Sequence, residues 1–185
     1  MIARKARHQP WRDESGHLYI TIPAALASGA HQQGEEAELF AYLVARALDA
    51  KGSGRVDKLA LAREIQHAYK GGKVHRLFER PGGRRYWASE GPTLRLHGQA
   101  AILESFSCEL LRSDMALTLS VAHLDTRPRR NAAMLAAVLA GQTDPRSAEF
   151  IQRFARVDRK TWNAWQADPV IRRRILRKLN NWAEM

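Results

Sequence analysis

The sequence predicts a mainly α-helical fold with one small β-hairpin, and three observations support this prediction. Apolar residues recur at helical spacing through most of the chain after residue 34. Alternation of apolar and polar residues, which is typical of strands, occurs in residues 17–22, 84–97 and 115–121. Gly, Pro and Asp residues separate these segments where helices commonly begin and end. The 185 residues suffice for one large domain or two small ones, and we predict two.

The N-terminus is predicted to be a basic arm followed by a strand. Residues 1–16 are polar and basic, and such arms often stay flexible until they meet a partner. Residues His17–Ile22 alternate as a strand does, and Pro23 either ends this strand or begins a short helix. We expect the strand to pack on the first domain.

Two helices are predicted between residues 35 and 69. The first, Glu35 to Asp49, has acidic residues in its first turn, where the helix dipole favours negative charge. The second runs from Lys58 to Tyr69, can be capped by Asp57, and is stopped by a pair of glycines. Its inner face is predicted to consist of apolar residues at intervals of three: Leu59, Ala62, Ile65 and Ala68.

A short helix with one basic face is predicted at residues 73–80. Its apolar residues, Val74, Leu77 and Phe78, share an inner side, so that the lysine and the arginines lie outside. A basic outer face on the second of two short helices suits the major groove of DNA.

A β-hairpin is predicted after the turn at residues 81–83. Residues 84–88 and 93–97 form its two strands around a loop at residues 89–92. In the second strand the leucines point to one side and Arg95 points to the other.

The order of these elements, over about residues 38–106, resembles the winged helix-turn-helix family, which implies a helical fold with a hairpin wing. In this family the second helix usually reads DNA, and the wing contacts the DNA backbone or minor groove. The double glycine departs from the family's usual short turn. The resemblance implies DNA contacts by these residues: Lys73, His75, Arg76, Arg80, Arg84, Arg85 and Arg95. The alternative is a winged helix that binds another protein, because a fold does not by itself determine function.

The next two segments lead to the predicted domain boundary. Residues Gln99–Leu111 predict a strongly apolar helix that closes the core of the winged domain. Residues Met115–Val121 alternate apolar and hydroxyl side chains, which fits either a linker strand or a continuation of the helix. We therefore predict a winged helix domain at residues 17–111, a linker at 112–127 and a C-terminal helical domain at 128–185.

The C-terminal third is predicted to be helical. Residues 132–140 are rich in Ala, Leu and Met, and a glycine follows them. An Asp-Pro pair then suits the cap and the first turn of a helix from Pro145 to Arg156. Asp158 can cap a third helix, Arg159 to Trp165.

The last two of these helices are similar to the helix-turn-helix of resolvase-like and homeodomain-like proteins, over about 25 residues. The resemblance implies DNA contacts by three residues: Arg159, Lys160 and Asn163. The final helix, Asp168 to about Ala183, turns isoleucines inward and arginines outward, so that Arg172 and Arg173 can contact phosphates. The alternative is that these arginines form only a solvated face.

The charge of the chain favours a polyanionic partner. With 30 Lys and Arg residues against 19 Asp and Glu residues, the net charge is +11 and the pI is about 10.5. Residues 51–106 and 127–185 hold this excess. Arginine supplies 23 of the basic residues, and its planar guanidinium suits phosphates and guanine edges, although a GC-rich coding bias also raises arginine content. Double-stranded DNA is therefore the predicted partner, and RNA is less favoured.

The sequence offers little support for catalysis, for a metal site or for a membrane protein. It has no phosphate-binding glycine loop, nucleophile motif or His-Glu-x-x-His, so that we expect no enzyme, no cofactor and no metal. The acids Glu35, Glu36 and Glu38 are more typical of a helix start than of a magnesium site. No apolar run approaches the roughly 20 residues that span a bilayer, and no signal peptide is evident. With Cys108 as the single cysteine, we expect a cytoplasmic protein without an intrachain disulfide.

These observations together predict a non-enzymatic, sequence-specific double-stranded DNA-binding protein with two reading modules. By analogy it would be a regulator or a replication-type initiator, as in phages and plasmids, and would be associated with the nucleoid. A homodimer or another protein partner is compatible with this prediction. The alternative is an interaction or scaffold protein whose winged domain binds another protein, while the basic C-terminal helix holds nucleic acid without sequence preference.

Overall fold

The computed structural model describes residues 12–49, 51–66, 74–106, 116–140 and 158–176, which form a mainly helical fold with two small antiparallel sheets. The strands are β1 (Tyr19–Pro23), β2 (Arg55–Asp57), β3 (Trp87–Glu90), β4 (Thr93–Leu96) and β5 (Ala116–Ser120). The α-helices are α1 (Ala24–Gln33), α2 (Glu36–Leu48), α3 (Lys58–Ile65), α4 (Val74–Phe78), α5 (Gln99–Ser105), α6 (Arg127–Ala140) and α7 (Arg159–Ala167). Two 3₁₀ turns (Pro81–Arg85 and Val121–Leu124) and a π-helical turn (Ile171–Leu176) accompany them. The prediction of a mainly α-helical fold with a small hairpin is confirmed.

The first sheet joins two segments that are far apart in sequence. β1 pairs antiparallel with β5, so that Ile20 lies opposite Leu119 and Ile22 lies opposite Leu117. These four side chains are buried, because alternate residues of a strand face the same side. Of the two structures predicted for the second segment, the strand is therefore confirmed. This strand, β5, lies within residues 112–127, which were predicted to form a linker.

The N-terminal segment forms a turn, a strand and a helix. Of the predicted arm, residues 1–11 lie outside the described residues. The end of the arm forms a turn in which Arg12 pairs with Glu64 of α3 at 2.5 Å. β1 ends at Pro23, whose extended backbone directly precedes α1, so that this proline both ends the strand and starts a helix.

The two helices predicted between residues 35 and 69 correspond to α2 and α3. α2 carries Glu36 and Glu38 in its first turn. Asp57 caps α3, as predicted, by accepting a hydrogen bond from the backbone N–H of Ala60 at 2.8 Å. The predicted cap of α3 and the acidic first turn of α2 are therefore confirmed.

The inner face of α3 differs from the prediction. The side chains of Leu61, Ala62 and Ile65 are buried, whereas Leu59 is 54% exposed. Because each residue advances by about 100° around a helix, a spacing of three drifts, and Leu59 lies about 120° away from Ile65. The predicted place of Leu59 in the core is wrong. Ala68 and the glycines after it lie outside the described residues.

The predicted hairpin is present, but its first strand starts later. Arg84 and Arg85 belong to a 3₁₀ turn, and β3 begins only at Trp87. The ring of Trp87 packs onto Gly83, 2.8 Å from the place where a side chain would begin, and this close approach keeps the turn tight. At the tip, Gly91 has a φ of 57°, which suits glycine. β2, which was not predicted, adds a third strand and gives the order β2-β4-β3.

α5 is shorter than predicted. It ends at Ser105, and the backbone of Phe106 is already extended, whereas the prediction continued to residue 111. The Phe106 ring packs onto Gly29 of α1 so closely that a Cβ on this glycine would lie 2.4 Å from the ring. The extended backbone brings the ring against α1, which explains the early end of the helix. Residues 107–115, with the single cysteine, lie outside the described residues.

α6 is the central helix of the fold, and it begins earlier than predicted. All of its residues from Ala132 to Leu139 are buried, as expected for a helix that other elements surround. It packs against α1, α2 and β5 on the N-terminal side of the chain and against α7 on the C-terminal side. Residues on both sides of the predicted linker therefore share one hydrophobic core. The division into two domains stays a prediction.

Of the last two predicted helices that resemble a helix-turn-helix, the second lies within the described residues and corresponds to α7. Asp158 caps α7, and Asp168 ends it and accepts hydrogen bonds from backbone N–H groups of the following turn. Ile171 and Ile175 of the π-helical turn are buried, as predicted for the final helix. The predicted helix Pro145–Arg156 and the end of the final helix lie outside the described residues.

Candidate nucleic-acid interface

α4 buries an apolar face and exposes a polar one. Its three apolar residues are buried, as predicted, while His75 and Arg76 are exposed. The ring of Phe78 packs edge-on against the ring of Trp87 from β3, with 6.3 Å between their centroids. This contact connects the short helix to the hairpin. Lys73 lies outside the described residues.

Arg80 follows α4 and pairs with an acid of α2. Its Nη1 lies 3.4 Å from Oε1 of Glu38. The Glu38 side chain is almost fully buried, and its second oxygen makes no hydrogen bond within the described part of the chain. The Arg80 side chain stays more than half exposed, so that it can also meet an external anion.

Arg84 and Arg85 are neighbours in very different surroundings. Arg84 is exposed. Arg85 donates from Nε to Oε2 of Glu35 at 2.9 Å, and from Nη1 to both oxygens of Ser105. Its guanidinium also lies over the ring of Phe106, 4.7 Å from the centroid, and only 21% of the side chain is exposed. Arg85 thus joins the 3₁₀ turn to α2 and α5, and it serves the fold.

The tip of the hairpin is tied to the start of α3. Nζ of Lys58 donates to Oγ of Ser89 and to the carbonyl of Gly91, both at 2.5 Å. The backbone N–H of Lys58 donates to the carbonyl of Pro92 at 2.9 Å. The hairpin therefore has a fixed position next to α3, which lowers the entropy cost of holding a ligand there.

The exposed face of the three-stranded sheet carries two arginines and a glutamate. Arg55 of β2 lies directly opposite Arg95 of β4, and their side chains are 64% and 58% exposed. Oε1 of Glu90 lies 2.9 Å from Nε of Arg95, and Oε2 lies 3.4 Å from Nη2 of Arg55. One carboxylate thus faces two guanidinium groups.

α7 carries the three residues predicted to face DNA in the second module. Arg159, Lys160 and Asn163 are all exposed. The cap of this helix, Asp158, accepts a hydrogen bond from the backbone N–H of Thr161, and this bond lowers the pKa of Asp158. A stable negative charge therefore stands beside the two cations at the start of the helix.

Arg129 of α6 connects the C-terminal segment to the rest of the fold. It donates from Nε to Asp168 and from Nη1 to Asp125, both at 2.9 Å. Partial burial opposes ionisation of Asp168, but the hydrogen bonds from Arg129 and from backbone N–H groups outweigh it and lower the pKa of Asp168. The same hydrogen bond raises the pKa of Arg129. The ion pair between Arg129 and Asp168 therefore holds the end of α7 against α6.

The π-helical turn exposes three consecutive arginines, Arg172, Arg173 and Arg174. None of them forms an ion pair within the described residues. Burial, together with the positive charges of Arg174 and Arg129, lowers the pKa of the nearby His123. This surface therefore carries three arginines that form no ion pair with a described acid.

The predicted contact residues thus lie in two groups. The first comprises exposed residues of α4, the 3₁₀ turn and the hairpin: His75, Arg76, Arg80, Arg84 and Arg95. The second lies on α7 and the π-helical turn: Arg159, Lys160, Asn163, Arg172 and Arg173. Sequence reasoning missed Arg55 and Lys58. The three-residue strand β2 is too short to show alternation, and no local pattern indicates the contacts of Lys58 with the hairpin tip.

Two further observations concern metal binding and membrane insertion. They contain no group of three or more His, Cys, Asp or Glu side chains that could hold a metal ion. None of their helices combines the length and the apolar character that a bilayer span requires.

Comparison with protein-family models, with curated proteins and with solved structures found no match.

Proposed function

We propose that this protein binds double-stranded DNA in a sequence-specific manner and has no catalytic role. The observation that carries the proposal is the division of α4 into two faces. Its apolar side is buried and packs against the hairpin, while His75 and Arg76 are exposed. A helix held in this way can enter a major groove, where an arginine can donate two hydrogen bonds to one guanine.

The elements around α4 support the proposal. α3 and α4, followed by the β3–β4 hairpin, have the order on which the resemblance to winged helix-turn-helix proteins rests. Arg84 lies in the 3₁₀ turn between α4 and the hairpin, Arg95 lies on the hairpin, and both are exposed. In this arrangement α4 reads bases, and the hairpin and the 3₁₀ turn contact phosphates, which set the register of the helix in the groove.

The C-terminal segment supplies the second part of the proposed interface. Arg159 and Lys160 of α7 and Arg172 and Arg173 of the π-helical turn are exposed cations that can contact phosphates. Two modules on one chain suit an extended or repeated site, such as those of regulators and replication initiators. The protein would then act at the nucleoid, in the cytoplasm, and a homodimer would read a symmetric site.

The test is a selection from random duplexes, followed by titration of the enriched and a scrambled site. We expect one motif to bind at least about a thousandfold tighter than scrambled duplex. Arg76→Ala should weaken the enriched site by about 1–3 kcal/mol and scrambled duplex much less, because a base contact is lost. Arg46→Ala is the matched control, since Arg46 is an exposed arginine of α2 and is not among the proposed contact residues. Equal binding of all duplexes by the unaltered protein would contradict the proposal.

The alternative is a protein-binding winged helix combined with non-specific nucleic-acid binding. The exposed run Arg172 to Arg174 favours it, because such a run binds any polyanion. The same titrations separate the two functions. Under the alternative, Arg172→Ala combined with Arg173→Ala weakens every duplex equally and lowers the salt dependence by about two counterions, while Arg76→Ala changes little.

A further inference from the structure

The exposed face of the three-stranded sheet places two like charges directly opposite each other. Arg55 and Arg95 are partners in the β2–β4 register. Opposite residues of an antiparallel pair have their Cβ atoms only about 5 Å apart, and like charges there repel each other. The neighbouring leucines of β4 are buried, so that Arg95 is confined to the outer face. An anion between the two guanidinium groups compensates this repulsion.

Glu90 supplies that anion in the free protein. Its two carboxylate oxygens lie 2.9 Å from Arg95 and 3.4 Å from Arg55. The partner of Arg95 on its other side is Ala88, whose small side chain leaves Glu90 room to reach across. The nearby Asp57 is already engaged, because it caps α3 through the N–H of Ala60. Glu90 therefore provides the carboxylate that bridges this arginine pair.

The pair has the properties of a phosphate site that an internal carboxylate occupies. A guanidinium group binds carboxylate and phosphate oxygens with the same two-pronged geometry. All three side chains are substantially exposed, with Glu90 at 39%, so that an external anion can reach them. Exposed ion pairs contribute little free energy, so that one anion can replace another easily. Lys58 holds the hairpin tip onto α3, which keeps this surface in place during the exchange.

We propose that Arg55 and Arg95 form a clamp for one backbone phosphate of duplex DNA, and that Glu90 occupies this clamp until the phosphate replaces it. This inference rests on the proposed DNA-binding function and adds a residue, Arg55, and a regulating carboxylate to it. Glu90 weakens non-specific binding of polyanions at this site, because a phosphate has to displace its carboxylate from the two arginines. The clamp contributes to affinity only when the rest of the interface holds the DNA backbone against the sheet.

The experiment is a double-mutant cycle measured by titration of a fluorescent duplex at two salt concentrations. Glu90→Gln keeps the size of the side chain and removes its charge. We expect it to raise the affinity for every duplex about two- to fivefold, which is the range of an exposed ion pair. In the Arg55→Ala, Arg95→Ala background the same change should have almost no effect. Glu104→Gln, which removes an exposed charge from α5, is the matched control and should leave affinity unchanged.

Two results would overturn the clamp. If Glu90→Gln raises affinity equally with and without the two arginines, Glu90 acts only through the overall charge. If it leaves affinity unchanged or lowers it, Glu90 does not compete with a phosphate.

Failure of the proposed function gives a different pattern. If the unaltered protein binds no duplex, the clamp is tested with inorganic polyphosphate by NMR of the arginine Nε–H groups. The resonances of Arg55 and Arg95 should then shift at lower polyphosphate concentration in Glu90→Gln than in the unaltered protein. Such shifts sustain the clamp for phosphate while DNA binding fails, and the absence of shifts in both proteins overturns the clamp as well.

Discussion

The two basic regions of this protein use their arginines in different ways. In the region of α4 and the hairpin, Arg80, Arg85 and Arg95 each contact an acid. In the C-terminal segment, the run from Arg172 to Arg174 contacts no acid within the described residues. An acid next to an arginine holds its guanidinium in place and reduces the local charge, whereas an unpaired arginine keeps its full charge and its freedom. The first region therefore holds several of its guanidinium groups in fixed positions, whereas the arginine run of the second region keeps its full positive charge.

This difference assigns separate tasks to the two regions of the proposed interface. An arginine on a helix that packing fixes in place, such as Arg76 on α4, can discriminate between bases, because the free energy of a two-pronged contact depends strongly on geometry. Mobile surface charges raise affinity for any phosphate backbone and lose this effect as salt increases. The difference between the two regions can be tested by removing the contacts that hold each region in place.

The largest effect is expected from Arg85, which is the most enclosed of the paired arginines. Arg85→Ala removes the contact with Glu35, which is itself largely buried, and the hydrogen bonds to Ser105. We expect a loss of about 2–3 kcal/mol in the free energy of unfolding, because a largely buried carboxylate is left without its partner. Chemical denaturation of the variant and of the unaltered protein measures this loss.

The neighbouring residue provides the control for this prediction. Arg84 differs from Arg85 only in its exposure and lack of enclosing contacts, so that Arg84→Ala should change the free energy of unfolding by less than about 0.5 kcal/mol. An equal effect of the two substitutions would mean that the arginines of this region are not built into the fold. The proposed difference between the two regions would then disappear.

An intermediate effect is expected from Arg129, which holds the C-terminal segment onto α6. Arg129→Ala removes hydrogen bonds to Asp125 and Asp168 and should cost about 1–2 kcal/mol of unfolding free energy, since the pair is partly exposed. Arg127→Ala, on the first turn of the same helix and exposed, should cost much less. Thermal unfolding of the two variants compares them.

The contact of Arg129 also has a consequence in acid. Because the pKa of Asp168 is lowered in the fold, its contribution to stability is present above the unfolded-state pKa of about 3.9 and is lost as the pH falls through the folded-state pKa. Arg129→Ala should therefore show a weaker dependence of stability on pH below about 4. An unchanged dependence would show that the backbone N–H groups alone hold the carboxylate.

The local features of this fold were predictable from the sequence, because they depend on neighbouring residues. The caps Asp57 and Asp158 each accept a hydrogen bond from the N–H three residues later, and the apolar residues of α4 face inward at helical spacing. In β4, Arg95 lies on the outer face because strand residues alternate. Such patterns need no knowledge of the rest of the chain.

The features that the sequence did not indicate depend on distant contacts. The role of Arg85 follows from Glu35, fifty positions earlier, and the early end of α5 follows from the contact between Phe106 and Gly29. The pairing of β1 with β5 brings together strands that nearly a hundred residues separate. Local periodicity cannot specify such partners, because many apolar segments could fill the same position. Arg85, which was predicted to contact DNA, instead contacts Glu35 and Ser105, while Arg55 is a contact proposed only from the structure.

The smallest effect is expected from His123, which is partly buried near the arginines of the C-terminal region. Burial and the charges of Arg174, Arg129 and His17 lower the pKa of His123, while Asp125 opposes them. The folded protein therefore binds this proton less tightly than the unfolded chain does. The contribution of His123 to stability is therefore most favourable above the unfolded-state pKa of about 6.5 and is lost as the pH drops through this value toward the folded-state pKa.

Replacement of His123 should reduce this loss of stability in acid. We expect His123→Gln to lose less stability than the unaltered protein between pH 7.5 and pH 5.5, by under about 1 kcal/mol because solvent screens the partly exposed ring. His75→Gln, on the exposed face of α4, is the control. Urea denaturation at the two pH values measures the difference. If His123→Gln instead loses more stability in acid, the negative charge of Asp125 outweighs both burial and the arginines near His123.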